Sequence, residues 1–419
     1  MPLALLLALV LSSAPAFPPG ACAPPDPVVA DTTDEDDDRG IDVGFRVIPS
    51  GFYSPSRGFG VGGGIVLENL VAPGTELILS AQPMQRFGRY RASFFTGDPF
   101  HTPLFVGVVG EYTTTTVRSF YGLGAQTREA NKVYVDLEEV EAELRLGWYP
   151  FGTNRGDRRG RLLLQPVVRL LHTNVHAFRD RRDGAFLGLD PRSQRTLFEA
   201  VDAPTTGVTY GLEVALDNRD QLFYSTRGTL LILTARRYDG LGGGAFRYYA
   251  GTASAYGFIP LPPHRHVLFG RAVLATTYPV GDEPVPFYAL PVLDDDLIGA
   301  YPGHRFNGND LFVLTAGYRF PLVTLYDWFA LDAHVAVHAA NAYDDVLDEL
   351  ALGLTFETDL TDEGARTPLR PALSIGGQIV NLDRDRVVIG GQIGAGPEGI
   401  RFATLQFIYG IRDVRPLVR

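Results

Sequence analysis

From about residue 43 to residue 411, the chain alternates apolar and polar residues with a period of two. The stretch 139–148 is typical: its odd-numbered positions are charged or small, and its apolar positions are Val140, Ala142, Leu144, Leu146 and Trp148. Segments 312–320, 329–337 and 403–411 repeat the pattern. Because successive side chains of a strand point to opposite faces, the pattern predicts many strands with one apolar and one polar face.

We count about sixteen candidate strands, the first at 60–70 and a late one at 348–358. Nine to eleven residues per strand suit a tilted crossing of a lipid bilayer, and an even number is what a bacterial barrel requires. No repeat of 20 to 50 residues is visible, which disfavours a solenoid or a propeller. Three long connections stand out, at 151–160, 176–206 and 278–309.

A period of two also occurs in soluble sandwiches, so two further features decide the prediction. Aromatic residues lie near the ends of the apolar faces, as they do in the interfacial girdles of membrane barrels; they include Trp148, Phe312, Phe320 and Tyr409. The polar faces carry charges that suit a water-filled lumen, namely Glu141, Glu143, Arg319 and Asp332. We therefore predict an all-β fold, a transmembrane antiparallel β-barrel of about 16 strands.

The two ends of the chain are predicted to lie outside the barrel. An apolar run and a small-residue cleavage site indicate a signal peptide over residues 1–21. Residues 22–42 form an acidic linker, predicted to be disordered, and 412–419 form a basic tail. Cys22, the only cysteine, follows a degenerate lipoprotein box, so lipidation is left open, and a single cysteine excludes an internal disulfide. After the signal, no run of 18 apolar residues predicts a spanning helix.

Charge and composition narrow the function further. A net charge of −11 argues against a nucleic-acid partner. The histidines at 172 and 176, and those at 334 and 338, are four residues apart, about 13 Å along a strand and too far for one pair to share a metal. There is no G-x-S-x-G serine elbow. We expect no metal, no cofactor and no enzyme activity.

The segment DNRDQLFYSTRG, from Asp217 to Gly228, resembles a hallmark of the BamA/TamA superfamily, the bacterial surface antigen family of outer-membrane β-barrels. Other segments resemble the family in the same order. They are 48–55 with FGVGGGIV from Phe59, Phe120–Gly124, 301–310 with 317–321, and Asp332-Ala333. The resemblance covers most of residues 43–411. It implies an outer-membrane barrel over those residues and a location in the bacterial outer membrane.

The DNRD segment also has a plain structural interpretation. Asp and Asn side chains bond nearby backbone amides and favour turns, and glycine permits a close approach of two chains. We expect the residues of this motif to build a hairpin rather than to carry chemistry. The motif residues are Asp217, Asn218, Arg219, Asp220, Arg227 and Gly228.

The resemblance implies that a loop at 298–306 folds into the lumen. In the family, an Arg-Gly-aromatic element on this loop pairs its arginine with acidic wall residues; here the matching positions read Gly299-Ala300-Tyr301. We expect Arg305 to substitute for the missing arginine, paired with Asp332 or with a glutamate of 139–143. Tyr301, Arg305 and Phe306 are thus the predicted lumen-loop residues, and Asp332 is the predicted partner on the wall.

The family also implies a seam between the first and last strands that can open and template a client strand. We assign the first strand to 60–67 and the last to 400–411. Glycine weakens strand pairing and permits bending, so the glycines fit a pliable seam and equally a kink where the barrel curves. The predicted seam residues are Gly62, Gly63, Gly64, Phe407 and Tyr409.

The resemblance thus implies a role in the insertion, assembly or translocation of outer-membrane proteins. Its partners would be outer-membrane lipid, unfolded outer-membrane clients and a separate periplasmic protein that carries POTRA domains. Fewer than 30 residues separate the predicted signal from the barrel, too few for one POTRA domain. That shortage and the missing loop arginine favour the alternative, a passive channel or structural barrel with the family fold and no insertase activity.

Overall fold

The structure is a computed structural model that describes residues 43–96, 103–151, 161–180, 184–202, 204–221, 224–242, 246–263, 265–293, 298, 300–325, 328–357, 366–382 and 386–408. The predicted signal peptide, the linker with Cys22 and the basic tail lie outside these residues.

The described residues form seventeen strands, one α-helix of twelve residues and three shorter helical turns. The strands are β1 (Gly44–Ser54), β2 (Gly58–Glu68), β3 (Glu76–Pro83), β4 (Phe87–Phe95), β5 (Leu104–Phe120), β6 (Val133–Trp148), β7 (Arg161–Asp180), β8 (Thr205–Asp217), β9 (Gly228–Gly240), β10 (Arg247–Leu261), β11 (His266–Pro279), β12 (Asp310–Leu325), β13 (Phe329–Tyr343), β14 (Leu350–Leu354), β15 (Thr367–Asn381), β16 (Arg386–Gly396) and β17 (Gly399–Ile408). The helices are α1 (Pro191–Asp202) and the turn α2 (Val346–Glu349), with 3-10 turns at Glu129–Asn131 and Phe186–Gly188.

Sixteen of the strands pair antiparallel in chain order, and β17 pairs back to β1. β14 is not part of this ring, because β13 pairs directly with β15 and β14 only adds to β15 in parallel. The antiparallel barrel fold and the number of ring strands are as predicted.

The predicted strands differ from the structure in two places. The segment 60–70 is a strand, as predicted, but it is the second one, because Gly44–Ser54 forms a strand before it. Pro49 and Gly51 of β1 interrupt the apolar pattern, and proline normally indicates the end of a strand except at edges. The segment 348–358 alternates like a strand, yet only Leu350–Leu354 is extended, and it lies outside the ring.

The apolar faces of the strands point outward and the charged faces point into the lumen. On β6, Val140 and Leu144 are 49% and 51% exposed, whereas Glu143 between them is 2% exposed. Arg319 and Asp332 are also buried on the inner wall. An outward apolar face with a polar interior is the arrangement of a barrel that crosses a lipid bilayer. Among the described residues, no helix is long and apolar enough to cross a membrane.

The barrel has a loop end, where the connections 121–132, 181–204, 280–309 and 344–366 lie, and an opposite end with mostly short turns. The first three fold inward there: Phe120, Leu197 of α1 and Phe287 pack together in one buried cluster. The predicted long connections 176–206 and 278–309 are therefore present, and the fourth, 344–366, was not predicted. Of 151–160, only Phe151 is described.

Candidate functional site

The lumen loop, residues 298–306, packs against the inner wall at the loop end. Ile298, Ala300, Tyr301 and Phe306 are each no more than 2% exposed. They share a buried cluster with inward-facing residues of β11, β12, β13 and β15, namely Val273, Leu311, Val313, Ala340, Ala342 and Ala372. The predicted inward fold of this loop is therefore present; Gly299 lies outside the described residues.

The centre of the site is a stack of aromatic rings and guanidinium groups. The Arg305 guanidinium lies 5.0 Å from the ring centroid of Tyr121 and 4.6 Å from that of Phe306. The Arg370 guanidinium lies 4.7 Å from the Phe306 ring. Cation–π contacts of this kind strengthen when they are desolvated, and both arginines are at most 1% exposed. The stack ties the lumen loop to β15 and to the β5–β6 connection.

Arg305 pairs with the turn between the last two strands, not with the predicted wall residue. Its Nε donates to Glu398 Oε1 at 2.7 Å, and its two terminal nitrogens donate to Thr127 Oγ1 at 2.5 Å and to the Thr127 carbonyl at 2.9 Å. Neither Asp332 nor a glutamate of 139–143 is its ion-pair partner. The predicted Arg305–Asp332 pair is wrong because the loop reaches across to β16 and β17 instead.

Tyr301 also holds the lumen loop against β15. Its hydroxyl donates to the Pro371 carbonyl at 3.1 Å, and its ring lies edge-on to Phe306 with centroids 5.5 Å apart. A Cβ atom built on Gly396 would lie 3.5 Å from the Tyr301 ring. Burial raises the pKa of the Tyr301 phenol, so it is a neutral donor at physiological pH.

Asp332 organises a second inward loop, at the opposite end of the barrel. Its carboxylate accepts hydrogen bonds from Tyr224, in the β8–β9 connection, and from Arg265, in the β10–β11 turn. The Arg319 guanidinium covers the Tyr224 ring at 4.2 Å and donates to the Ser225 carbonyl. Burial, followed by the bond to Asp332, raises the pKa of Tyr224. Asp332 is therefore a lumen wall residue, as predicted, with a different loop as its partner.

The predicted turn motif forms the base of that second loop. Arg219 Nε and Nη2 each lie 2.8 Å from the Asp217 carboxylate. Asp220 Oδ1 accepts from the backbone amides of Thr226 and Arg227 at 2.9 and 3.2 Å. This is the side-chain-to-backbone bonding that favours turns, and it holds the backbone of the β8–β9 connection.

Two close backbone approaches complete the motif. The Asn218 amide donates to the Thr229 carbonyl at 2.8 Å. Gly228 has a φ of 99°, and a Cβ there would lie 2.2 Å from the Asn218 carbonyl oxygen. A side chain at this position would therefore break the hairpin that presents Tyr224 to Asp332.

The seam of the ring joins β1 to β17. Among the described residues, its pairs run from Ser50↔Ile408 to Tyr53↔Leu405. Phe407 lies in the seam opposite Gly51, as predicted. Tyr409 lies outside the described residues.

Gly62, Gly63 and Gly64 are not seam residues, because they lie in β2 between β1 and β3. They serve close contact between chains. A Cβ on Gly62 would lie 2.2 Å from the Ala81 carbonyl oxygen, and one on Gly63 would lie 2.9 Å from that of Ile48. Of the two interpretations left open, the structure supports the one in which the glycines fit the curved wall.

Charged side chains on the inner wall border a cavity of about 530 Å³. Arg169 lies 2.6 Å from Glu143 and 3.3 Å from Glu141, and Arg89 lies 2.9 Å from Glu111. The cavity is lined on one side by the lumen loop, through His304. Among the described residues, no group of three or more His, Cys, Asp or Glu side chains could hold a metal ion.

Several residues of the site were not predicted. Tyr121 belongs to the Phe120–Gly124 segment, which the sequence marks only by its resemblance to the family. Thr127 and Glu398 lie beside turns and Arg370 lies in β15, and none of the three stands out in the sequence. A charged residue beside a turn is normally solvated, so only the register of the ring shows that Glu398 is buried against Arg305.

No protein-family model matches the sequence, and no curated protein matches it. Among solved structures, the chain is similar to BamA from Haemophilus ducreyi lacking POTRA domains 1-3, with a TM-score of 0.57 and 15% identity. The similarity covers 87% of this chain and 69% of that chain.

The chain is also similar to CdiB from Acinetobacter baumannii and to CdiB from Escherichia coli, with TM-scores of 0.47 and 0.49 and identities of 11% and 12%. It spans 60% and 63% of the length of those two chains. The similarity to BamA, the ring of strands and the outward apolar faces agree. The protein thus has the fold of a BamA-like β-barrel of the bacterial outer membrane.

Proposed function

We propose that this barrel acts in the insertion, assembly or translocation of other outer-membrane polypeptides, with the β1–β17 seam as the place where a client strand pairs. The observation that carries the proposal is an unpaired strand edge beside the seam. β17 pairs with β16 from Gly399 to Phe407, whereas its described pairs with β1 run from Leu405 to Ile408.

The seam also exposes a strand edge. The part of β17 from Gly399 to Thr404 pairs with β16, and no described strand pairs with its other side. A row of unpaired N–H and C=O groups is a template for another strand. β1 carries Pro49, which has no N–H to donate to a ladder, and this suits a strand that exchanges partners.

The lumen loop holds the last hairpin through Glu398, the residue directly before β17. Opening of the seam by movement of β17 would therefore strain the Arg305–Glu398 pair. A buried pair is costly to break one-sidedly, so the pair favours the paired seam until a client supplies compensating hydrogen bonds.

The proposed partners are outer-membrane lipid, unfolded outer-membrane clients and a separate periplasmic protein that carries POTRA domains. The similar H. ducreyi structure is of BamA lacking POTRA domains 1-3, and such domains are the module that we assign here to a separate partner. The barrel described here contains sixteen ring strands and no further folded module between residues 43 and 408 in the part that the structure describes.

The second candidate is a passive channel, which the charged cavity of about 530 Å³ favours. Arg169, Arg271, Glu139 and Glu141 all line it, and charges on a lumen wall tune ion selectivity. In that function the lumen loop would be a fixed constriction and the seam would stay paired.

Client folding in proteoliposomes distinguishes the two candidates. An unfolded small barrel is added to vesicles with and without this protein, with and without a POTRA-bearing partner, and folding is followed by heat-modifiable gel shift. The proposal predicts faster folding in the vesicles that contain this protein. No acceleration under either condition, together with a conductance that Glu139→Gln alters, would support the channel.

A further inference from the structure

A segment after β13 folds back over the outside of the barrel. We call it the flap, residues 344–357, which contain α2 and β14. It covers a cluster made of Phe312, Tyr343, Val346 and Leu369, with Leu274, Leu314, Ala339 and Leu350 at its margin. Val313 and Ala342, the neighbours of Phe312 and Tyr343, belong to the lumen cluster. Because side chains alternate along a strand, Phe312 and Tyr343 face outward, and the flap lies on the outer wall.

The flap is fixed to that wall by specific hydrogen bonds. The Val346 amide donates to Asp310 Oδ2 at 2.9 Å, and the Thr355 amide donates to the Leu369 carbonyl at 2.9 Å. Asp345 caps α2 by accepting from the Leu347 amide at 2.9 Å. An ion pair between Arg192 and Asp344 joins the flap to α1. The flap is therefore a folded part of the structure, held in place by specific contacts.

Most exposed side chains of the flap are apolar, and the exposed charged ones are Asp348 in α2 and Glu357 at the end of the flap. Leu352 is 91% exposed, Leu354 61% and Phe356 74%. The pairing of β14 with β15 shifts register between Ala351 and Leu354, so these three side chains are grouped by their exposure and not by strict alternation. Leu347 on α2 adds a fourth side chain that is 64% exposed. Contiguous exposed apolar groups of this size mark an interaction surface.

The flap lies within the height of the lipid-facing wall. Its contact Leu274 is four residues closer to the middle of β11 than Tyr278, about 13 Å along the strand. Tyr278 is half exposed near the strand end, the position of an interfacial girdle. On the two strands that border the flap, Val337 and Ile375 continue the exposed apolar surface. The flap therefore extends an existing lipid-facing surface.

We propose that the flap is embedded in the acyl layer of the membrane on the loop side, with Leu352, Leu354 and Phe356 as its lipid contacts. This inference is independent of the proposed insertase role, since it needs only a barrel in a bilayer. The flap lies over β12, β13 and β15, so the bilayer around these strands would meet an added layer of protein rather than a bare strand surface.

Depth-dependent fluorescence quenching tests the proposal. In a full-length Cys22→Ser chain, Leu352→Cys is labelled with bimane and the protein is folded into vesicles of phosphatidylcholine with brominated or unbrominated acyl chains. Ile375→Cys on the bare wall is the positive control. Leu187→Cys, an exposed residue of the α1 connection, is the control outside the bilayer.

We expect brominated acyl chains to quench bimane at position 352 within about twofold of the quenching at 375, and to leave position 187 unquenched. A second variant guards against misfolding: Leu352→Asp with Leu354→Asp should remove quenching from Phe356→Cys while heat modifiability is kept. Quenching at 352 as weak as at 187 would overturn the proposal. Quenching that disappears as the protein-to-lipid ratio rises would assign the face to a second copy instead.

Discussion

Arg305 Nε donates to Glu398 Oε1 across 2.7 Å, and the two residues are 93 positions apart in the chain. This contact connects the lumen loop to the turn that starts the last strand. The same guanidinium is bonded to Thr127 and stacked between Tyr121 and Phe306. One side chain thus joins three connections at the loop end: the lumen loop, the β5–β6 connection and the β16–β17 turn.

Arg305→Ala should destabilise the barrel by about 3–5 kcal/mol, because it leaves the buried Glu398 carboxylate without a compensating charge. Urea unfolding in detergent micelles, followed by the gel shift of the folded barrel, measures the change. Arg305→Lys keeps the charge and loses the planar stacking and the forked donors, so it should fall between the wild type and Arg305→Ala.

A double-mutant cycle with Glu398→Gln separates the contribution of the Arg305–Glu398 ion pair from that of the Arg305 contacts with Tyr121 and Phe306. The coupling free energy between Arg305→Ala and Glu398→Gln should be about 1–3 kcal/mol, as for residues in direct contact. The same cycle with Asp332→Asn in place of Glu398→Gln is the matched control and should give coupling near zero. Equal coupling in both cycles would contradict the assignment of Glu398 as the partner.

The sequence predicts much of this barrel because alternation is a local signal. Each strand's apolar face can be read from its own residues, and the lumen loop could be placed through its motif. Partners in the lumen could not be predicted, since they depend on the register of sixteen strands. Arg305 and Asp332 were both correctly placed in the lumen, but they lie at different ends with different partners. β1 was missed because Pro49 and Gly51 hide its alternation.

Tyr224→Phe should destabilise the barrel by about 1–3 kcal/mol, because it leaves Asp332 with one hydrogen-bond donor fewer in a fully buried position. The effect should be absent when Asp332→Ala, which removes the acceptor, is already present. Unfolding in urea measures both. A loss from Tyr224→Phe that is unchanged in the Asp332→Ala background would show that the ring contact with Arg319, not the hydroxyl, is what matters.

Gly62→Ala should destabilise the barrel by about 1–3 kcal/mol, because the added Cβ would lie 2.2 Å from the Ala81 carbonyl oxygen. Gly110→Ala on β5 is the matched control, since a Cβ there meets nothing within 4 Å. The control should stay within about 0.5 kcal/mol of the wild type. Similar unfolding curves for both variants would remove close chain approach as the reason for the β2 glycines.

The free energy of unfolding should fall at alkaline pH because the buried Tyr301 holds its phenol proton. The pKa of Tyr301 is raised by burial, so the folded state holds the phenol proton more tightly than the unfolded state. Its contribution is complete below the unfolded pKa of about 10 and is lost as the pH rises above it. Tyr301→Phe should therefore remove one late-ionising group from the tyrosinate absorbance titration. Loss of an early-ionising group would contradict its burial.

Cross-linking of β1 to β17 tests whether the seam opens during client folding. In a Cys22→Ser chain, Tyr53→Cys with Leu405→Cys places a disulfide at an observed seam pair, and Val47→Cys with Ile65→Cys places one between β1 and β2 as the control. Client folding in proteoliposomes is compared before and after reduction. If the seam opens, oxidation of the Tyr53→Cys/Leu405→Cys protein should abolish the acceleration and reduction should restore it, while the control keeps it throughout. Acceleration that persists with the seam cross-linked would contradict an opening seam.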